Sequence, residues 1–547
     1  MNGTDEGRAR GVHCVFFFPI AVMALWAGAG FSLSGQSTAP ERAPSLGKVN
    51  FPTSCDPRVQ NRIEEGVALL HSFQYREAEG AFTEAAERDP HCAMAYWGKA
   101  MSLYQQLWGW PNTRAFADGR KDVETAKAQN NSTPRELAYI DLAVLFFERQ
   151  SPLSTSARMR AFSEGWEKLY REFPKDINAG AFYGLSLVAL AEEGIDEKSN
   201  RRKAIAVLDP LFHAAPENPG PAHYLIHAAD TPELAALALD AARQYARIAP
   251  DSAHALHMPS HVFVRMGLWR ESIESNLASE KAAVVVAQRA GHADIQYQVH
   301  AMDFLDYSYL QAGDEAAARQ MTEDLENVVG ASAEQIANYQ ADFRARAALE
   351  LHRWGDAESL ISGDQSLSQE NTYWVRALGA AHNRHIGAAQ IDLAKLEELV
   401  AAQRERNVTP SDMMSMPGDS SNDEGGTHVL EARAWIAFAQ DNVDDAIRTL
   451  RVAAANEKVR SLSMPASEML ADMLLECGRA PLALNEYELA LREAPNRFDA
   501  LYGAARAAES AGDPVDARKY FTKLVAASIP SADRIEFHEA REFLASK

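Results

Sequence analysis

The chain has 547 residues, 47% of them apolar and 24% charged, and its 76 acidic against 54 basic side chains give a formal net charge of −22. That composition excludes a disordered chain, and the length exceeds what one globular core ordinarily covers, so several domains or a repeat array is expected. The acidic excess, with no basic stripe, argues against a nucleic-acid binder and favours cationic ligands.

The N-terminus reads first as an address. Between Gly11 and Pro40 there is no Asp, Glu, Lys or Arg, and an apolar run from Val15 to Trp26 follows Arg8 and Arg10. Residues 1–40 therefore have the pattern of a targeting segment, either a signal peptide ending near Ala27, Gly28 and Ala29 or an uncleaved membrane anchor. Both alternatives export the chain to the periplasm or another extracytoplasmic space, with membrane contact only through that segment. Beyond it lie Cys55, Cys92 and Cys477. Cys55 and Cys92 are 37 residues apart, near the starts of two neighbouring helices. They are either bridged in an oxidising compartment or two buried thiols.

From Val59 onward a fixed spacing sets in. Gly66, Ala78, Phe82, Ala85 and Pro90 place small residues, an aromatic and a terminating proline in a 34-residue frame. The frame returns at Gly478, Ala483, Tyr487, Ala490 and Pro495, then at Gly512, Ala517, Phe521 and Leu524. Small residues let two antiparallel helices approach, the aromatic fills the gap to the next pair, and proline stops the second helix. In between, Pro174, Pro216 and Pro250 close helices, while Gly267 and Gly313 mark turns. Longer connections are expected around Pro111–Thr133 and Val408–Gly426.

The fold expected is all-α: a solenoid of about eleven or twelve helical pairs acting as one cooperative array. Residues 41–407 form its N-terminal and central part. Residues 408–426 form a turn-rich linker, and 427–547 a C-terminal array closed by a capping helix over Asp533–Leu544. The spacing at Gly66–Pro90 and Gly478–Leu524 resembles the tetratricopeptide repeat family, whose members usually present protein- or peptide-binding surfaces. The central His-rich run further resembles an exported bacterial subgroup of such proteins.

That run is the chemical signal. Seven of sixteen histidines fall within the 78 residues from His223 to His300, His292 among them. His223 and His227 are four apart, as are His257 and His261, so each pair projects from one helical face. The offset of 34 between Pro216 and Pro250 maps the first pair onto the second. Pro259, between His257 and His261, disfavours a straight helix and sets that pair at a kink or helix start.

The family resemblance implies which positions line a concave groove. In its register these are His223, His227 and Asp230; then His254, His257, His261 and Arg265; then His300, Asp303 and Tyr307; and, in the first repeats, His71 and Trp97. Imidazoles from adjacent helices could share one ion, with His223, His227, His257 and His261 as ligands. Such a set suits Zn, Cu, Ni or Fe rather than Ca or Mg.

Catalysis has less support. No H-E-x-x-H, G-x-S-x-G, C-x-x-C-H, G-x-x-x-x-G-K-[ST] or G-x-G-x-x-G stands in the chain. Three functions remain: a groove that holds a transition metal and through it a ligand, a metal-free peptide or protein scaffold, and a metal-dependent enzyme of unspecified reaction.

Overall fold

A computed structural model describes residues 45–148, 154–290, 295–363, 366–406, 424–457 and 462–546. Among the described residues there is no strand, and the helices fall into twelve antiparallel pairs, from Gln60–His71 with Tyr75–Arg88 to Phe498–Ser510 with Pro514–Ala527, followed by Ile535–Ala545. The fold is the all-α solenoid expected. The targeting segment and His292 lie outside the described residues. No described helix is long and apolar enough to cross a membrane.

One turn is reused throughout. Phe73, Gly194, Gly267, Gly313, His352, Arg384, Asp441, Gly478 and Gly512 each sit between the helices of a pair with φ between 50° and 82°. In each case the next residue's N–H reaches back five residues to a carbonyl, as Gln74 does to Leu69 and Leu268 to Phe263. The left-handed residue thus satisfies carbonyls that a helix end would leave bare. Only some of these positions are glycine. Phe73 accepts the strain, and its ring reappears at the site below.

Packing within a pair depends on the frame residues. Phe82 is fully buried between two glycines: a Cβ at Gly98 would lie 2.3 Å from its ring, and one at Gly66 2.7 Å. Tyr487 meets Gly503 in the same way near the C-terminus. The expected connection at Pro111–Thr133 instead contains the helix Thr113–Lys127, capped by the Asn112 side chain. Its few apolar positions bury Val123 and Ala126, too sparse a stripe to read without its neighbours. Residues 407–423 of the expected linker lie outside the described residues. The helices on either side of it, Ile386–Arg406 and Glu424–Ala439, pack together. One cluster of buried apolar residues runs from Ala345 to Ala540.

The coil closes on itself from both ends. Ser45 N–H donates to Asp251 (2.6 Å) and Lys48 N–H to the Glu217 carbonyl (2.8 Å). From the other end Trp269 Nε1 donates to the Asn496 carbonyl (2.8 Å), and Asp533 N–H donates to the Gly313 carbonyl (2.9 Å). Buried Arg497 joins Glu468, Glu350 and the Tyr307 hydroxyl. The central repeats are therefore clamped between the first repeat and the last.

Gly98→Ala drives a methyl into a ring with nowhere to go and is expected to cost roughly 1–3 kcal/mol. Gly80→Ala, in a helix interior with nothing within 4 Å of the new methyl, is expected to gain about 0.5–1 kcal/mol. Urea unfolding of the two variants checks the opposite signs.

Candidate metal centre

The helix Pro219–Ala228 carries His223 and His227, and its N-terminus is set by Asn218, whose side chain accepts from Gly220 N–H. At its other end Arg201 donates to the His227 carbonyl at 2.9 Å, satisfying a group the helix leaves open. The next repeat begins with Ala253–His257, passes through Met258, and restarts as Pro259–Arg265 with Pro259 in its first turn. Proline divides the helix between His257 and His261, as its chemistry requires, yet Met258 keeps helical angles. The i, i+4 relation of the pair survives, and their Nε2 atoms lie 3.0 Å apart.

Each pair gathers a third ring from the following helix. His223, His227 and His254 form one triad, His257, His261 and His300 another, and within each the candidate ligand atoms lie within 4.8 Å of one another. In the first, Nε2 of His223 stands 3.0 Å from Nε2 of His254 and 3.1 Å from Nε2 of His227. The two pairs do not pool their four rings, as the sequence had suggested; the set is six imidazoles in two groups of three. The triads are neighbours: ring centroids of His227 and His261 are 6.3 Å apart, and those of His254 and His257 6.4 Å.

Hydrogen-bond partners fix the protons. His223 Nδ1–H donates to the His71 carbonyl at 2.6 Å, which leaves Nε2 with a bare lone pair. In the second triad, Asn276 Nδ2 donates to the Ser272 carbonyl. Its Oδ1 therefore accepts the His257 Nδ1–H at 2.7 Å. His261 Nδ1–H donates to the Asp230 carboxylate at 2.9 Å, and Asp230 also accepts from Arg265 Nε at 2.9 Å. Nε2 of His257 is thus an acceptor, 3.0 Å from Nε2 of His261, and what lies between the two is either a proton carried by His261 or another cation. Anchoring the far ring nitrogen on a carboxylate, amide or carbonyl is how ligating histidines are ordinarily oriented.

Apolar rings flank both groups, of which the first is buried throughout and the second is partly open to solvent at His300. Phe73 lies over the first triad, 4.4 Å from His223 and 5.5 Å from His254 by ring centroids. Phe304 lies against the second, 4.8 Å from both His257 and His261. Burial pushes His223 down to about 3 and His300 to about 4, and takes His227, His254 and His257 well below the usual imidazole range, with neighbouring imidazoles adding to the effect. These five rings are neutral at pH 7, the form that ligates. For Asp230, burial opposes the charge, but Arg265 and His261 hold its carboxyl well below the usual range. A tetrahedral ion with N at about 2.0–2.1 Å needs its ligand atoms about 3.3 Å apart. The separations of 3.0 and 3.1 Å need adjustments of a few tenths of an ångström, and the remaining ligand atoms lie within 4.8 Å.

Residues 63–107, 431–497 and 468–532 match the tetratricopeptide repeat family model. Over these stretches the chain carries tetratricopeptide repeats. No curated protein matches it. Of solved structures, a human IFIT1 dimer with PPP-AAAA aligns over 84% of this chain and 88% of that one, at 12% identity and a TM-score of 0.34, too remote to bear on function.

Within this repeat protein, several expected groove residues turn inward. The His71 ring is fully buried, donating from Nε2 to Asn178 and accepting from Tyr224 at Nδ1, each at 3.0 Å. Only its carbonyl serves the triad. Trp97 is core, stacked on Phe51 with centroids 5.5 Å apart. Tyr307 is committed to Arg497, and Asp303 pairs with Arg346 at 2.6 Å rather than joining the histidines. The closed coil converts these groove positions into interior. Cys55 and Cys92 are joined by a disulfide. Ser260, buried beside His261, donates to the His257 carbonyl at 2.7 Å and has a structural duty. Asn276 and Arg201 went unread in the sequence, since neither stands in a motif. At the C-terminal end a cavity of about 290 Å³ is lined by Trp354, His382, Trp435, Asp472, Tyr502 and Arg506.

Burial lowers His71 to about 4, against about 6.5 in an unfolded chain. Between those values the unfolded state binds the extra proton, so stability is greatest above pH 6.5 and falls on acidification. The metal-free chain is expected to lose up to about 1.4 kcal/mol per pH unit from this ring between pH 6 and 4. His71→Gln should flatten that dependence in urea titrations at several pH values.

Proposed function

We propose that this is an exported tetratricopeptide repeat protein whose central repeats bind a transition metal through histidine, with the repeat surface presenting a ligand or partner to it. The observation that carries the reading is the 3.0 Å approach of Nε2 of His257 to Nε2 of His261, each ring fixed from behind by Asn276 or Asp230. A proton shared between the rings is the competing occupant. His300 supplies a third nitrogen, and an all-imidazole set of three favours Zn, Cu, Ni or Fe, with one coordination position left for an outside ligand. When bound, such an ion would act as a Lewis acid or, if redox-active, as an electron carrier. The chain's own residues hold the rings neutral and aim them.

Export is supported by the apolar, charge-free stretch between Gly11 and Pro40 and by the Cys55–Cys92 bridge, since disulfides persist in oxidising compartments. Tetratricopeptide repeats build protein- and peptide-binding surfaces, and the C-terminal cavity is a candidate for one. Its wall of Trp354 against His382, with ring centroids 3.7 Å apart, and of His382 against Trp435 at 3.9 Å faces the carboxylates of Asp472 and Glu476. Those neighbours suit a peptide side chain with an apolar stem and a cationic tip.

The metal reading is tested by competition titration of Zn(II) or Co(II) against a chromogenic chelator, on chain purified without a histidine tag. His261→Ala is expected to abolish tight binding at its triad. Asp230→Asn, which keeps the shape but removes the charge behind His261, is expected to weaken it about 10–100-fold. Equal affinity in all three proteins, with unchanged helical circular dichroism, would mean that the rings hold only a proton.

A further inference from the structure

We propose that the two triads are two separate ion sites, built on histidine pairs related by the repeat itself, and that together they form a paired centre for a small anionic ligand. This rests on the metal-binding reading above and deepens it. The repeat translation of 34 residues carries His223 onto His257 and His227 onto His261. Each pair is completed by a ring from the first helix of the next repeat, His254 beside the first pair and His300 beside the second. An apolar ring lies against each group, Phe73 at the first and Phe304 at the second. Each group also anchors a leading histidine through Nδ1–H, on the His71 carbonyl in one and on Asn276 in the other. The pairs are related by the repeat, and third ring, anchor and apolar cover are supplied to each from different places, so both groups are complete sets of three.

A single shared ion fits less well. The candidate ligand atoms gather as two groups of three, each group within 4.8 Å, and inside each group Nε2 atoms approach to 3.0–3.1 Å. Two ions, each on three nitrogens, use the groups as they stand, whereas one ion on the four rings of the two pairs would leave His254 and His300 out.

Charge then specifies the ligand class. Neutral imidazoles contribute nothing against two divalent ions, and Asp230, the carboxylate hydrogen-bonded to the set, is already engaged by His261 and Arg265. Three protein nitrogens leave each ion an open position. Two neighbouring ions with open positions and surplus positive charge between apolar rings call for a small anion, hydroxide or an oxyanion, shared between them.

The experiment is metal stoichiometry on the untagged full chain, loaded with Cu(II), passed through gel filtration and measured by elemental mass spectrometry alongside electron paramagnetic resonance. Two equivalents per chain are expected, with a half-field signal from two nearby spins and a new charge-transfer band on adding azide. His254→Ala and His300→Ala should each retain one equivalent and lose the half-field signal, and the double variant should retain none. One equivalent in the unaltered chain, lost in either variant, would overturn the paired centre while leaving a single metal site. No bound metal in the unaltered chain would overturn the metal reading as well. Two equivalents without a half-field signal would overturn the pairing. Circular dichroism of each variant separates loss of metal from loss of fold.

Discussion

Neutral histidines buried without enough counter-charge are the constraint on which the centre of this protein turns. A buried imidazole must stay uncharged and must place its N–H on an acceptor. His223, His257 and His261 do so with Nδ1, against a backbone carbonyl, an amide and a carboxylate. Once those Nδ1–H groups point outward to their acceptors, the Nε2 atoms of the three rings point inward, toward neighbouring imidazoles. A protein that gained only stability from these positions would be better served by apolar side chains of similar volume, because unmatched polar groups at this depth are costly. The arrangement makes physical sense as the ligand shell of an ion.

The solenoid supplies the precision such a shell needs. Ligands on helices are better fixed than ligands on loops, and here the helices are held from three sides. Arg201 closes the C-terminal end of the helix bearing His223 and His227. The first repeat turns back so that the His71 carbonyl and the Phe73 ring reach the same helix. Tyr297, on the helix that carries His300, donates to the Phe73 carbonyl at 3.1 Å. Phe73 holds a left-handed conformation, φ 57°, where other repeats place glycine, and backbone strain of this kind persists only where the surroundings enforce it. Fold closure and site closure are the same contacts.

Much of this was legible in the sequence, and what was not has a common cause. The 34-residue frame, the terminating prolines and the glycine turns are local signals, and local signals survive in any context. The i, i+4 histidine pairs and their repeat-related register are equally local. The regrouping into three and three depends on His254 and His300 swinging in from neighbouring helices, which spacing alone does not determine. His71, Trp97 and Tyr307 were assigned to the groove because an open repeat array would expose those positions. The coil instead closes over them, through bonds between residues more than 100 apart such as His71 to Asn178 and Tyr307 to Arg497. Asn276 shows the limit most clearly: a lone asparagine in a helix carries no motif, and its role is visible only once Ser272 and His257 flank it.

The central claim is that imidazole nitrogens of the central repeats hold a transition metal, and X-ray absorption spectroscopy of the chain loaded with Zn(II) or Cu(II) addresses it directly. The account predicts a first shell of nitrogen or oxygen at about 2.0–2.1 Å, with outer-shell scattering from about three imidazole rings per ion and no sulfur. A first shell of light atoms with no imidazole scattering would contradict it, and would reduce the histidines to a proton-sharing network inside a peptide-binding scaffold.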